Sequence, residues 1–156
     1  MNCDIRIRKA DFNDASEIHN ITLKAFSEYA ADTTANRIDA LTETEDDVKN
    51  DIEKKLVLAA EYRGRLSGSL RLEVSGKSAY LTRFAVRAES RSNGIGSALI
   101  DHAADVVRRS GVEEIYLHTD LNMRPLVEFY KRHGFAVKSS ENTRGYTRAL
   151  LVKKLS

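Results

Sequence analysis

ESRSNGIGSALI, residues 89–100, decides how the rest of the chain is read. Two glycines flank Ile95, an arginine stands three residues before Gly94, and an apolar run follows. Just upstream, YLTRFAV carries apolar residues on both faces, as a central strand does. Downstream, Leu99, Ala103, Val106 and Val107 recur at helical spacing, with Gly111 placed to stop the helix. A strand, a glycine-bearing loop and a helix N-terminus make an anion site. The first-turn N–H groups lack intrahelical partners, and they carry the positive end of the helix dipole. Gly94 and Gly96 have no Cβ to keep a phosphate oxygen away from the backbone.

Two other phosphate motifs are excluded by inspection. No stretch supplies the terminal Gly-Lys-Ser/Thr of a P-loop. A dinucleotide fingerprint needs a third small residue where this chain has Leu99, and Glu114 precedes its strand rather than ending it.

Outward from the loop, DIRIRKA reads as a first strand with Ile5 and Ile7 on one face. Asp14 and Glu17 resemble a capping box for a helix with Ile18, Ile21, Ala25 and Tyr29 on one stripe, ending near AADTTAN. A second helix fits Val48, Ile52 and Leu56. LVLAAEY and LSGSLRLEV form a hairpin about Arg63-Gly64-Arg65, and Ser75-Gly76-Lys77 turns into the central strand. EIYLH is a short strand. MRPLVEFYKRHGF is a helix with Pro125 in its first turn, a stripe of Leu126, Phe129, Tyr130 and His133, and Gly134 at its end. GYTRALLVKKL is the last strand. The order β-α-α-β-β-β-α-β-α-β describes an α/β chain of the α+β type, a mixed, mostly antiparallel sheet flanked by helices.

The whole chain sets bounds. At 156 residues it reads as one domain, 1–156, with 42% hydrophobic and 31% charged residues. Its apolar runs are too short to span a bilayer, and MNCDIRIRKAD lacks a signal-peptide core. Cys3 is the one cysteine, read as a bystander that fits a reducing compartment, so a cytoplasmic location is expected. The net charge of +2 and the lack of an aromatic-studded basic motif speak against nucleic acid. Residues 11–61 hold 13 Asp and Glu against 5 Lys and Arg, and residues 62–156 hold 9 against 17. That asymmetry favours a cationic acceptor, although most of TETEDDVKNDIEKK reads as a solvated helix face. His19 and His118 lack the spacing of a metal pair, and no metal is expected.

Arg91-Ser92-Asn93-Gly94-Ile95-Gly96 matches [QR]-x-x-G-x-[GA] five residues after Val86. With YLTRFAV before it, LVEFYKRHGF after it and the closing GYTRALLVKKL, the chain resembles the GNAT superfamily of N-acetyltransferases. The resemblance implies that acetyl-coenzyme A lays its pyrophosphate on the backbone of Arg91, Ser92, Asn93, Gly94, Ile95, Gly96 and Ser97. The pantetheine arm would run along Phe84, Ala85 and Val86 where that strand diverges from the next. It implies direct attack by a primary amine, of a small molecule or a protein, in a ternary complex. The Val86 N–H would face the carbonyl oxygen, and Tyr130 would protonate the leaving thiolate. Read from periodicity alone, Tyr130 is a core aromatic beside Leu126 and Phe129, and Phe129 is core only. One departure stands out: many relatives carry an asparagine seven residues before this tyrosine, where this chain has Met123. Asn122, one residue earlier, is the nearest substitute, as a cofactor contact or as a helix cap. No general base is identified. Glu28, Glu73, Thr82 and Asp120 are candidates, and Arg83 faces either the substrate or a neighbouring helix. The alternative from another class is a non-catalytic acyl-coenzyme A sensor or interaction module. Many relatives dimerise, which leaves a homodimer open.

Overall fold

The computed structural model describes residues 4–32, 39–143 and 146–155. Cys3 lies outside them, as do the side chain of Tyr29 and most of the stretch after it. The strands are β1 (Ile5–Lys9), β2 (Leu56–Tyr62), β3 (Arg65–Ser75), β4 (Ser78–Val86), β5 (Glu114–Asp120), β6 (Phe135–Thr143) and β7 (Tyr146–Lys154). The helices are α1 (Ala15–Asp32), α2 (Glu45–Lys54), α3 (Ile95–Arg109) and α4 (Arg124–Arg132). The seven strands form one sheet in the order β1-β2-β3-β4-β5-β7-β6, and β4–β5 is its parallel pair. This is the mixed, mostly antiparallel α+β architecture expected from the sequence.

Local chemistry accounts for most boundaries. The first cap sits one turn earlier than Asp14–Glu17. Asp11 accepts from the Asn13 N–H at 2.8 Å, and Asp14 accepts from the Asp11 N–H at 2.8 Å. This reciprocal pair opens a short 3-10 turn that runs into α1. Thr44 and Asp47 do the same for α2. That helix stops at Lys54 because Lys55 is extended, so Leu56 begins β2 instead of continuing the helical stripe. At the β2–β3 hairpin Arg63 and Gly64 both take positive φ, 52° and 81°, which fits the strand twist.

One strand has no counterpart in the order expected from the sequence. FAVKSSENT forms β6 at the sheet edge, paired only with β7. Apart from Phe135, the side chains described in it are exposed, so it has no apolar alternation to announce it.

Both faces of the sheet are covered. On one, Ile95, Leu99, Ile100, Ala103, Ala104 and Val107 of α3 pack on Leu70, Leu72, Ala79, Leu81, Ile115 and Leu117. Val106 is only half-buried. On the other, Ile18, Ile21 and Ala25 of α1 and Val48 of α2 pack on Val57, Ala59, Leu66 and Ala85. Both faces of β3 are therefore buried from Leu66 to Leu72, and Arg71 is inside. Its guanidinium donates to Asp51 at 2.9 Å and to both oxygens of Glu43, one of them at 2.9 Å.

Candidate functional site

The site begins where two strands part. β4 and β5 pair only at Ser78↔Glu114, Ala79↔Ile115 and Tyr80↔Tyr116. Beyond these pairs β4 runs on to Val86 beside β3, and β5 runs on to Asp120 beside β7, leaving a fork. A bulge contributes to the divergence. The β3–β4 register shifts between Ser69 and Arg71, opposite Arg83, whose φ is +53°. A non-glycine residue there is strained, and Arg83 is tethered by Nε to Glu43 at 3.4 Å. Past the bulge, Arg87 donates its N–H to the Ser67 carbonyl at 2.8 Å. Antiparallel alternation then turns the Val86 N–H and C=O away from β3, toward the fork.

Residues Ala88–Asn93 form a 3-10 turn rather than an open loop, and α3 starts at Ile95. Gly94 joins them at φ +82°, a left-handed conformation that side chains disfavour. The first helical bond runs from Ala98 N–H to Gly94 C=O at 3.0 Å. The N–H groups of Ile95, Gly96 and Ser97 thus have no intrahelical acceptor, and no side chain caps the helix. Gly96 serves a different purpose from Gly94. A Cβ on it would stand 3.1 Å from Phe84 Cζ and 3.3 Å from Phe129 Cζ, so its hydrogen lets α3 approach the two stacked rings.

A cleft of about 420 Å³ opens along this helix end. Phe84, Val86, Arg91, Gly94, Gly96, Ser97 and Asn122 line it, all expected from the sequence. Glu28, Met123, Pro125, Leu126 and Phe129 complete the wall. Ala85 and Ile95 turn their side chains into the core and leave only backbone for a ligand, while Ser92 lies on the exposed 3-10 turn and Asn93 beside it is half-buried. Tyr130 does not line the cleft. It is 5% exposed, behind Phe84 and Phe129, and packs edge-on against Phe135 at 5.5 Å. The α4 stripe differs accordingly: Val127 and Tyr130 are buried, whereas Leu126 and Phe129 face the cleft. Phe129 is therefore more than core, and its proximity to Gly96 across the chain left no local signal.

Polar groups tie the cleft to its surroundings. Arg91 donates from Nη1 to Glu28 at 2.8 Å and from Nε to the Val86 carbonyl at 3.2 Å. Ser97 Oγ meets His133 Nε2 at 3.0 Å. Asp120 accepts from the Asn122 N–H at 2.8 Å, while its Oδ2 is buried with no hydrogen-bond partner. Asn122 makes no side-chain cap on α4. Glu73 points into solvent toward Lys55. Four acidic residues of the first third pair with the basic remainder: Glu17 with Arg87, Glu28 with Arg91, and Glu43 and Asp51 with Arg71. Part of the charge asymmetry is thus matched within the molecule.

At the crotch of the fork, on the side facing α1 and α2, Tyr80 stacks on Tyr116 with ring centroids 4.7 Å apart. Its hydroxyl lies 2.9 Å from His118 Nδ1. Burial, more than any charge, pushes the Tyr80 phenol up and the His118 imidazole down, and Arg148 lowers the imidazole further.

The fold agrees with what other proteins show. The family model described as "Acetyltransferase (GNAT) family" matches residues 16–135. The chain belongs to this acetyltransferase family. Its sheet, forked at β4–β5, superposes on the PaiA N-acetyltransferase of Thermoplasma acidophilum in complex with coenzyme A. There the TM-score is 0.83 at 21% identity over 99% of both chains. A putative acetyltransferase of Salmonella typhimurium with acetyl-coenzyme A gives a TM-score of 0.79 at 19% identity, over 98% of this chain and 95% of that one. At such identities the likeness is one of fold. Among curated sequences, the mycothiol acetyltransferase of Clavibacter michiganensis subsp. michiganensis is 31% identical over 80 residues, which is 51% of this chain. The matched stretch is 26% of that protein's length. Among the described residues no helix is long and apolar enough to cross a membrane, and no cluster of three or more His, Cys, Asp or Glu could hold a metal.

Proposed function

We propose that the protein transfers the acetyl group of acetyl-coenzyme A to a primary amine, of a small molecule or a protein, by direct attack in a ternary complex. One observation carries the reading: the β4–β5 fork opens onto the same cleft as the uncapped N-terminus of α3. The cleft suits the cofactor's chemistry. Free N–H groups of Ile95, Gly96 and Ser97 suit a pyrophosphate, and Arg91 adds a positive charge at the mouth. Ser92, Asn93 and Gly94 present backbone beside them. The Val86 N–H and C=O, turned toward the gap, suit an amide-bearing arm running along Phe84, Ala85 and Val86. Phe84, Phe129, Leu126 and Met123 supply apolar walls, with Asn122 as a polar group at the rim. Acetyl-coenzyme A brings an activated thioester to this channel.

The chain's own groups then have three tasks. The Val86 N–H donates to the carbonyl oxygen as charge gathers there. The Tyr130 hydroxyl gives its proton to the departing sulfur, beside rings that keep water away. A base must accept the amine's proton, because a lysine-like amine is protonated below a pH of about 10.4.

The burial of Tyr130 favours one rival, a module that binds acyl-coenzyme A without catalysis. A coenzyme A-release assay across chemically diverse amines decides. Release that depends on an amine, slowed about 10- to 100-fold by Tyr130→Phe with coenzyme A affinity unchanged, supports transfer with Tyr130 as the acid. Binding without release from any amine favours the module. An unchanged rate in Tyr130→Phe removes Tyr130 from the reaction.

A further inference from the structure

The fork's crotch holds a polar cluster that the steps above leave unused. Tyr80 and Tyr116 form the last paired rung between β4 and β5. His118 is two residues further along β5, and so on the same face as Tyr116, where β4 has already departed. Its imidazole is half-buried and is held through Nδ1 by the Tyr80 hydroxyl. The ring thus stands just past the last paired rung, where the two strands begin to part. It is on the face opposite the α3 core, so an acceptor would reach it from the side away from the cofactor's phosphates.

We propose that His118 is the base that takes the proton of the acceptor amine, with Tyr80 as the positioning residue that fixes its tautomer. The inference rests on the acetyl-transfer reading above. In the tautomer whose Nδ1–H donates to the Tyr80 oxygen, Nε2 carries the lone pair. The balance is simple. An ammonium gives one proton to His118 Nε2 and becomes a neutral amine. The C–N bond forms as the C–S bond breaks, sulfur takes the Tyr130 proton, and the nitrogen's second surplus proton restores Tyr130. His118 returns its proton to solvent, so one ammonium and one thioester yield an amide, a thiol and a proton.

The surroundings favour a neutral imidazole. Among the described residues, the titratable and charged groups about the ring and its tyrosine include Tyr80 and Arg83 on β4, Tyr116 and Asp120 on β5, Arg148 on β7 and Glu141 on β6. Burial and the Arg148 cation disfavour the charged ring, and Glu141, exposed at the edge, opposes them weakly. A base of this kind is ready at neutral pH and is lost as pH falls through its own pKa.

The test combines kinetics with a titration that needs no turnover. The kcat/KM for an amine is measured against pH for the native protein, His118→Gln and Tyr80→Phe. The His118 ring is titrated by NMR in the coenzyme A-bound protein. The native profile should have its lower break at the NMR pKa of His118, below about 6.5. His118→Gln, with unchanged melting and coenzyme A affinity, should lose about 10²- to 10³-fold and that lower break. Tyr80→Phe should move the NMR pKa and the kinetic break together. Native turnover with His118→Gln within about threefold, or a break that stays put in Tyr80→Phe while the NMR pKa moves, overturns the role of His118 alone. Coenzyme A binding with no turnover by the native protein overturns the acetyl-transfer reading and His118 with it. If His118→Gln fails to fold, agreement or disagreement between the two pKa values in native protein and Tyr80→Phe decides.

Discussion

Glu28, at the end of α1, and Arg91, on the turn before α3, meet across the mouth of the cleft at 2.8 Å. Both are partly exposed, so the pair itself adds little to stability. Its interest lies in what the arginine does when an anion arrives. A phosphate must compete with Glu28 for the guanidinium and tolerate the carboxylate nearby. Glu28→Gln should tighten coenzyme A binding several-fold at low salt, and Arg91→Gln should weaken it about tenfold. Both effects should shrink above about 0.5 M salt as screening shortens. Calorimetric titration with coenzyme A at two ionic strengths checks this, and weaker binding by Glu28→Gln would refute it.

The two glycines of residues 89–100 should fail differently. Gly94→Ala puts a side chain at φ +82° with nothing nearer than Ile5 Cδ1 at 4.0 Å, so it costs about 1–2 kcal/mol of backbone strain. Gly96→Ala has no such strain, but its Cβ meets the Phe84 and Phe129 rings at 3.1 and 3.3 Å. Overpacking of about 1–3 kcal/mol outweighs the roughly 1 kcal/mol that alanine gains in a helix. Displaced rings also narrow the cleft. Urea midpoints should fall in both variants, whereas the larger loss of coenzyme A affinity should belong to Gly96→Ala.

That contrast bears on how much the sequence discloses. Spacing revealed that Gly94 and Gly96 join a strand to a helix, because turn chemistry is local. It could not reveal that Gly96 faces Phe129, 33 residues away, so Phe129 read as core alone. Leu70-Arg71-Leu72 alternates like a strand with a wet face. The far face is instead covered by α1 and α2, and Arg71 finds its carboxylates 28 and 20 residues away. FAVKSSENT escaped for the opposite reason: an exposed edge strand answers to its partner's hydrogen bonds and not to apolar alternation. The fork itself is a register event, the point where β4 and β5 cease to pair, and no residue type marks it. His118 passed as an unspaced histidine because its meaning comes from Tyr80 on another strand.

Arg71 carries the third prediction. It is fully buried between Glu43, which is 5% exposed, and Asp51. Arg71→Met removes the bidentate partner of Glu43 and leaves it, among the described residues, Arg83 alone, at 3.4 Å, whereas the more exposed Asp51 keeps Lys55 at 3.4 Å. Stranding a buried carboxylate costs about 3–5 kcal/mol. Protonation removes the charge that is stranded, so the deficit should shrink as pH falls toward 5. Chemical denaturation at pH 7.5 and 5 measures this. A deficit that is the same at both values would assign the loss to packing instead of charge.

A surface-proximal pair gives a second pH dependence. Arg8 donates to both oxygens of Asp14, at 2.7 and 2.9 Å, and also to Glu61 at 2.7 Å, joining β1 to the turn before α1 and to β2. Its hydrogen bonds to Asp14 are the main cause that holds this carboxyl below its ordinary value, aided by the Asp11 N–H and opposed by burial. A depressed folded-state pKa means that the unfolded chain binds the proton more readily. The stabilisation is therefore complete above the unfolded pKa of about 3.9 and is lost as pH falls through the lower, folded value. Asp14→Asn should be less stable than the native protein by a constant amount from pH 7 down to about 5. The difference should then close as the native carboxyl is protonated. Thermal unfolding of both proteins between pH 7 and 2.5 reads this directly, and a gap that persists undiminished at the acid end would mean that Asp14 acts through its capping geometry rather than its charge.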